Sequence, residues 1–167
     1  NQFNSASEVA GVVVSELPAG VMTSVNATTN WAEGAWSDFR GFPRSVAIHD
    51  SRLTWGGTRA FPLAMEFSNA LSLFYQAPVD PDGTVSRSTA FRRSLESNNP
   101  IRWMRSTDKG LAVGCLAGEW VVDKEGNASG FGADTAGAKP LGDSSSAAIQ
   151  PSKSGGVLLY VPRSRQG

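Results

Sequence analysis

The chain has one cysteine, Cys115, and one histidine, His49, in 167 residues. A single cysteine excludes an intrachain disulfide framework and a cysteine-based zinc site. With a lone histidine as well, no metal-ligand constellation can be picked out. Long hydrophobic runs are missing too. Val12–Val14 and Val157–Val161 are the longest, far short of a membrane span. The opening residues NQFNSASEVA have neither a basic start nor an apolar core, so no signal peptide is read from them. Net charge is absent as well, at a formal +0, so bulk charge points to neither a nucleic-acid nor a membrane partner. Charged residues make up only 18% of the chain, against a typical value of about 25%. With 18 Gly and 9 Pro, that composition suits a turn-rich β protein, or one whose surface neighbours partly cover.

What is present is a succession of short alternating strands. The length suits one domain or pieces of two, and a chain of this size buries roughly 68–70% of its unfolded surface. Residues 40–58, RGFPRSVAIHDSRLTWGGT, read as a tight hairpin. Val46 and Ile48 alternate on one arm, Leu53 and Trp55 on the other, and Asp50-Ser51 form the bend. Such alternation marks half-buried antiparallel strands, with these residues on the buried side. Residues 62–68 add a strand in which Leu63, Met65 and Phe67 alternate. ALSLFY, residues 70–75, reads as a helical turn or continued extended chain, and 76–90 as a loop.

Residues 99–122 read as three strands joined by two tight turns. Ile101, Trp103 and Arg105 share one phase, followed by Leu111, Val113 and Cys115, and then by Trp120-Val121-Val122. A meander of this kind is the unit of a propeller blade. Residues 126–147, rich in Gly, Ala and Ser, read mostly as loop, and 155–161 as a last strand stopped by Pro162. Residues 1–30 read as two short strands about Leu17-Pro18-Ala19-Gly20, the end of a preceding β segment. Residues 31–39 read as a connector anchored by Trp31 and Trp36. Core positions predicted from phase are Leu53, Trp55, Trp103, Val113 and Trp120.

Candidate chemistry is sparse. His49 and Asp50 are sequence neighbours, and neighbours on a strand point to opposite faces, which argues against a working pair. Cys115 lies in an apolar strand with nothing beside it to activate a thiol. Asp80-Pro81-Asp82-Gly83 mimics the start of a calcium loop, but the twelfth position holds Phe91 rather than Glu, so a plain turn is expected. Glu33, Asp38, Glu119 and Asp123 carry no spacing that defines a glycosidase pair. Trp31, Trp36, Trp55, Trp103 and Trp120 are read as core, since large rings dominate small β cores. No catalytic, cofactor-binding or metal residue is assigned, and no cofactor is expected.

The one charge signal is arginine. Residues 84–107 hold Arg87, Arg92, Arg93, Arg102 and Arg105 against Glu96 alone, a net +4, whereas residues 1–39 hold no Lys or Arg and carry −4. Arginine outnumbers lysine eleven to four, and arginine suits fixed bidentate pairs and interfaces. These five arginines are the candidates for contact with a neighbouring subunit or with DNA phosphate, against an ordinary solvated face. Opposite charge on the two segments suits head-to-tail packing.

The order Gly41-Phe42-Pro43, Arg52-Leu53, Gly57-Thr58, then the meander with Gly118-Glu119-Trp120, then GGVLLYV, resembles the tail nozzle (tail tubular B-type) proteins of short-tailed bacteriophages. The resemblance covers most of residues 31–167, and 1–30 only weakly. It implies an all-β fold, a partial β-propeller of antiparallel meander blades after a short β segment, cut as an internal slice from a longer subunit. It further implies a structural protein of the virion tail: a hexameric ring docked to an adaptor or gatekeeper ring and other tail proteins, in transient contact with genomic DNA during ejection. It carries no catalytic motif. The rival expectation is a carbohydrate-binding or carbohydrate-cleaving β-propeller domain acting on host surface glycan. Since one full blade, a hairpin and a terminal strand do not close a propeller, the remaining blades are expected from further chain, a neighbouring subunit, or both.

Overall fold

Asp50 and Ser51 both adopt positive φ, 46° and 60°. Two central residues of that kind close a two-residue hairpin whose twist matches its strands. They join β3 (Ser45–His49) to β4 (Arg52–Gly56) in a register that pairs Val46 with Trp55 and Ile48 with Leu53. The chain then continues through β5 (Ala64–Phe67) and β6 (Phe91–Ser94). These strands form a four-stranded antiparallel sheet in sequence order, β3-β4-β5-β6.

A second four-stranded meander follows in the order β7-β8-β9-β10, made of Ile101–Thr107, Gly110–Cys115, Gly118–Lys124 and Ala136–Gly142. Gly110 and Gly118, at φ 119° and 121°, permit its two tight turns. A hairpin of β11 (Ser152–Ser154) and β12 (Val157–Leu159) ends the described chain.

The computed structural model describes residues 2–5, 8–10, 36–80, 83–96 and 99–163. All of its named elements are strands, and every pairing is antiparallel. The chain divides into units 1–33 and 34–167. In the first, β1 (Gln2–Ser5) pairs with β2 (Glu8–Ala10). The turn expected at Leu17–Gly20, the run Val21–Val25 and Trp31 lie outside the described residues.

The two large sheets of the second unit enclose one core. Met65 and Phe67 from the first sheet join Ile101, Met104, Leu111, Val113, Cys115 and Val122 from the second, all fully buried. Phe131, in the β9–β10 connection, packs between Phe67, Phe91 and His49 at 5.2, 5.6 and 5.4 Å between ring centres.

Four sequence expectations are corrected here. The hairpin has the opposite phase. Ser45, His49, Arg52 and Thr54 face the core, whereas Val46 and Ile48 are 47% and 61% exposed and Leu53 and Trp55 half-buried. The cause is Arg52, whose guanidinium is needed inside, as described below.

In β7, Ile101 and Trp103 do not share a face. Ile101 pairs with Cys115 and Trp103 with Gly114, so the register slips at Arg102. A bulge of one residue reverses the phase, which puts Met104 in the core and Trp103 on the outer face.

The segment 126–147 contains β10. Its small residues Ala136 and Ala138 fit against the core, and Pro140 is tolerated because β10 is an edge strand. Residues 70–75 form turns pinned by the Asn69–Ser72 bridge, without a helix. Trp103 and Val113 are buried as expected, and Trp120 packs half-buried against the core.

Trp103 lies flat against the bare backbone of Gly114, where a Cβ would fall 2.1 Å from the indole. Gly114→Ala should cost about 1–3 kcal/mol through overpacking, and Trp103→Ala about 3–5 kcal/mol through lost burial, both read by equilibrium urea unfolding. At the bend, Asp50→Asn with Ser51→Gly should add about 1 kcal/mol, since Asn-Gly adopts these dihedrals with less strain. An unchanged unfolding midpoint would mean that the turn is not strained.

Candidate functional site

The two faces that look away from the core differ sharply. On the second sheet, the outer face is covered by residues 143–163. Tyr160 packs on Trp103 at 5.6 Å between ring centres. Ser146 donates through Oγ to Glu119 Oε1 at 3.0 Å, and Gln150 donates through Nε2 to the Met104 carbonyl at 2.8 Å. Lys153 pairs with Asp108 in the β7–β8 turn. Trp103, Ala112, Gly114 and Glu119 are all buried as a result.

On the first sheet, the outer face carries Val46, Ile48, Leu53 and Trp55, with the Glu66–Arg92 pair beyond them. Trp36 stands edge-on to Trp55 at 4.9 Å. A groove of about 570 Å³ runs beside it, lined by Trp36, Glu66, Phe67, Gln76, Phe91 and Arg92.

The five candidate arginines sit on different elements. Arg87, in the loop before β6, pairs with Asp134 at 2.9 Å and donates to Ser129 Oγ. Arg92 pairs with Glu66 at 2.6 Å and lies over the Phe61 ring. Arg93 shares β6 with Arg92 but points to the opposite face, opposite Met65. Arg102 is the bulge residue of β7, and Arg105 is exposed on that strand's outer face. Strands β6 and β7 are edges of different sheets, and β7 lies close to β3 at the far edge of the first sheet. The fold therefore distributes these arginines, and two of them already hold carboxylates.

Phase reasoning missed Arg52. Its side chain is 1% exposed. Nη1 donates to the carbonyls of Ser68, Ser88 and Thr89 at 2.6, 3.2 and 2.9 Å, and Nη2 to those of Arg87 and Phe131 at 2.5 and 3.3 Å. Burial pulls its pKa below the ordinary arginine value, with Asp50 opposing. The signal was present in the sequence as Arg52-Leu53 followed by Gly57-Thr58, since all but Leu53 are buried. Gly57 needs its φ of 72°, and Thr58 Oγ1 accepts the Phe61 amide.

His49 points inward, with Nδ1 3.0 Å from Ser106 Oγ, while Asp50 is exposed at the turn. Cys115 lies in the core, and burial, aided by Glu119, pushes its thiol up to about 12. Such a thiol stays protonated and is a poor nucleophile. Asp38 and Asp123 are exposed and Glu119 is buried against Ser146; Glu33 lies outside the described residues. Asp80 caps its own turn, accepting from Ser86 Oγ and Asn69 Nδ2 at 3.1 and 3.4 Å. Among the described residues no three His, Cys, Asp or Glu side chains cluster as metal ligands, and no helix is long and apolar enough to cross a membrane.

Burial lowers the pKa of His49 from 6.5, against smaller opposing pulls from Asp50 and Asp123. Below pH 6.5 the unfolded chain therefore binds a proton at this site that the folded chain resists, and stability falls as pH falls through that window. Asp108 and Asp134, held below 3.8 by Lys153 and Arg87, lose their contributions only at lower pH. His49→Gln should thus flatten the loss of stability between pH 7.5 and 5.5, measured by urea unfolding. Equal losses in both proteins would place the titrating group elsewhere. No protein-family model matches this chain, and no curated protein is significantly similar to it.

Proposed function

We propose that this chain is a structural subunit of a ring, a tail nozzle component of a short-tailed phage through which the genome passes, and that its two meanders are successive blades of an incomplete β-propeller. The observation that carries this reading is repetition. Two four-stranded antiparallel meanders follow each other in chain order, and the first strand of one, β3, lies close to the first strand of the next, β7. Blades set round an axis place their first strands together in this way. A third antiparallel element, β11–β12, begins where a further blade would start.

The resemblance in the order of Gly41-Phe42-Pro43, Arg52-Leu53, Gly57-Thr58 and Gly118-Glu119-Trp120 supplies the family. In this reading, contact with DNA or a neighbour falls on Arg105, which is exposed on β7, rather than on Arg87 or Arg92, which already hold Asp134 and Glu66. A hexameric ring, an adaptor ring as partner and a place in the virion tail come with the family.

The carbohydrate reading draws on the groove beside Trp36 and Phe91, where rings can stack on a sugar. Its lining carboxylate, Glu66, is engaged by Arg92, and glycoside cleavage needs two. That groove favours binding over turnover.

Electron microscopy of the native assembly tests the reading directly. Ring-shaped particles with a central channel, labelled by an antibody to this chain, are the expected result. A dispersed monomer that binds glycans on an array, with loss of binding in Trp36→Ala, would replace the ring with the carbohydrate reading.

A further inference from the structure

The turn at residues 37–44 and the loop at 57–61 are tied to each other and to the first sheet. The Gly41 amide donates to the Ser37 carbonyl at 2.7 Å, and the Ala60 amide to the Arg40 carbonyl at 2.9 Å. The Arg44 amide extends the β3–β4 ladder by donating to the Gly56 carbonyl at 3.0 Å. Arg59 crosses Gly41, where an added Cβ would fall 2.7 Å from the Arg59 Cβ. Its Nη2 donates to the carbonyls of Asp38, at 2.9 Å, and Phe39. A loop pair fastened at so many points presents its side chains from a fixed frame.

That frame presents phenylalanine to solvent. Phe39, Phe42 and Phe61 are 79%, 60% and 36% exposed. Arginine is interleaved with them in both segments, as FRGFPR at 39–44 and RAF at 59–61. Asp38 is the one acidic residue of the two loops, against Arg40, Arg44 and Arg59. Arg44 is exposed, and no carboxylate among the described residues pairs with it. Arg59 is exposed too, and the carbonyls that hold it leave its charge uncompensated. Arg92 lies over the Phe61 ring at 4.5 Å, so a ring of this surface already receives a planar cationic group on its face.

We propose that these two loops form a contact surface for single-stranded nucleic acid, in which Phe39 and Phe42 stack on unpaired bases while Arg44 and Arg59 meet the phosphates. Every base has a flat π-face and every link a negative charge, so rings alternating with arginines match both features of the strand. An apolar protein partner calls for rings gathered into one patch with charge kept to its rim. Here the charge stands between the rings. The fixed frame also lowers the ordering cost of binding. Neither the ring nor its channel enters this assignment. Duplex DNA keeps its bases stacked and attracts proteins chiefly through its phosphates, so it has no use for the phenylalanines.

The test uses the full 167-residue chain and fluorescence anisotropy of a labelled oligothymidylate of about 15 nucleotides, long enough for one binding site. A duplex of the same length is measured beside it. The wild type should bind the single strand more tightly than the duplex. Phe42→Ala should weaken binding about fivefold or more through lost stacking. Arg44→Ala should weaken it and flatten its dependence on salt. Lys139→Ala, which removes an exposed positive charge from β10, should leave it unchanged. Phe42 and Arg44 are exposed, and urea unfolding midpoints equal to the wild type verify that the variants fold. Phe39→Ala replaces Phe42→Ala should the latter not match.

A wild type that binds no oligothymidylate at low salt would overturn the assignment. So would binding that the phenylalanine variants leave intact, which would reduce the surface to bulk charge. Polyglutamate that competes as well as an oligothymidylate of equal charge would assign the loops to an acidic protein segment instead. Each of these outcomes leaves the ring reading standing, because rings are scored by microscopy of the native assembly.

Discussion

The buried guanidinium of Arg52 organises this molecule. A charge taken out of water is costly unless its donors are satisfied. Here five main-chain oxygens from three separate stretches converge on the two Nη nitrogens, and only Nε is left without a partner. Ser68 follows β5, residues 87–89 lead into β6, and Phe131 belongs to the connection between β9 and β10. A carboxylate partner would have neutralised Arg52 at one point. Carbonyls instead let one side chain fix both ends of the β5–β6 connection and a point in the β9–β10 connection. The planar fork suits this, and a lysine ammonium, with three donors on a flexible stem, would not reach the same set.

That requirement propagates into the rest of the first sheet. With Arg52 inside, strand alternation forces Thr54 and Gly56 inside and Leu53 and Trp55 outside. The hairpin register then sets the partners on β3, so His49 and Ser45 turn inward and Ile48 and Val46 turn out. The space beside Gly56 is filled from the opposite sheet, where Met104 Sδ would be 2.9 Å from an added Cβ. The apolar exposure of the outer face is therefore a consequence of one buried charge, with the hydrophobic residues displaced to the side away from the core.

This is also why the sequence was only partly legible. Alternation located the strands at 45–57, 62–68 and 101–122, because a period of two is a local property of the chain. It could not say which phase faced in. For β4 the usual rule, apolar inward, failed because a polar network outranked it. For β7 it failed because a bulge at Arg102 broke the period between Ile101 and Trp103. The strand β10 was hidden for a different reason: AGAKPLG has almost no large apolar residue, since small side chains suffice where Phe131 and Val122 already fill the core. The five arginines were visible as a charge excess, but sequence proximity did not translate into one patch. Arg87 sits in a loop, and the other four lie on β6 and β7, edges of different sheets.

Glycine carries the remaining specificity, and at Gly114 it does so by absence. Strand β8 is buried on both faces, with Leu111, Val113 and Cys115 toward the core and Ala112 and Gly114 outward. An inner strand of that kind normally fills its second face with a branched side chain. Here Trp103 from the neighbouring strand occupies that volume and Tyr160 closes over it. The second sheet thus contributes only part of its outer layer and takes the rest from the terminal segment. A sheet built in this way depends on the next element for its cover, whereas on the first sheet Trp36 packs edge-on to Trp55 and Val46 stays exposed.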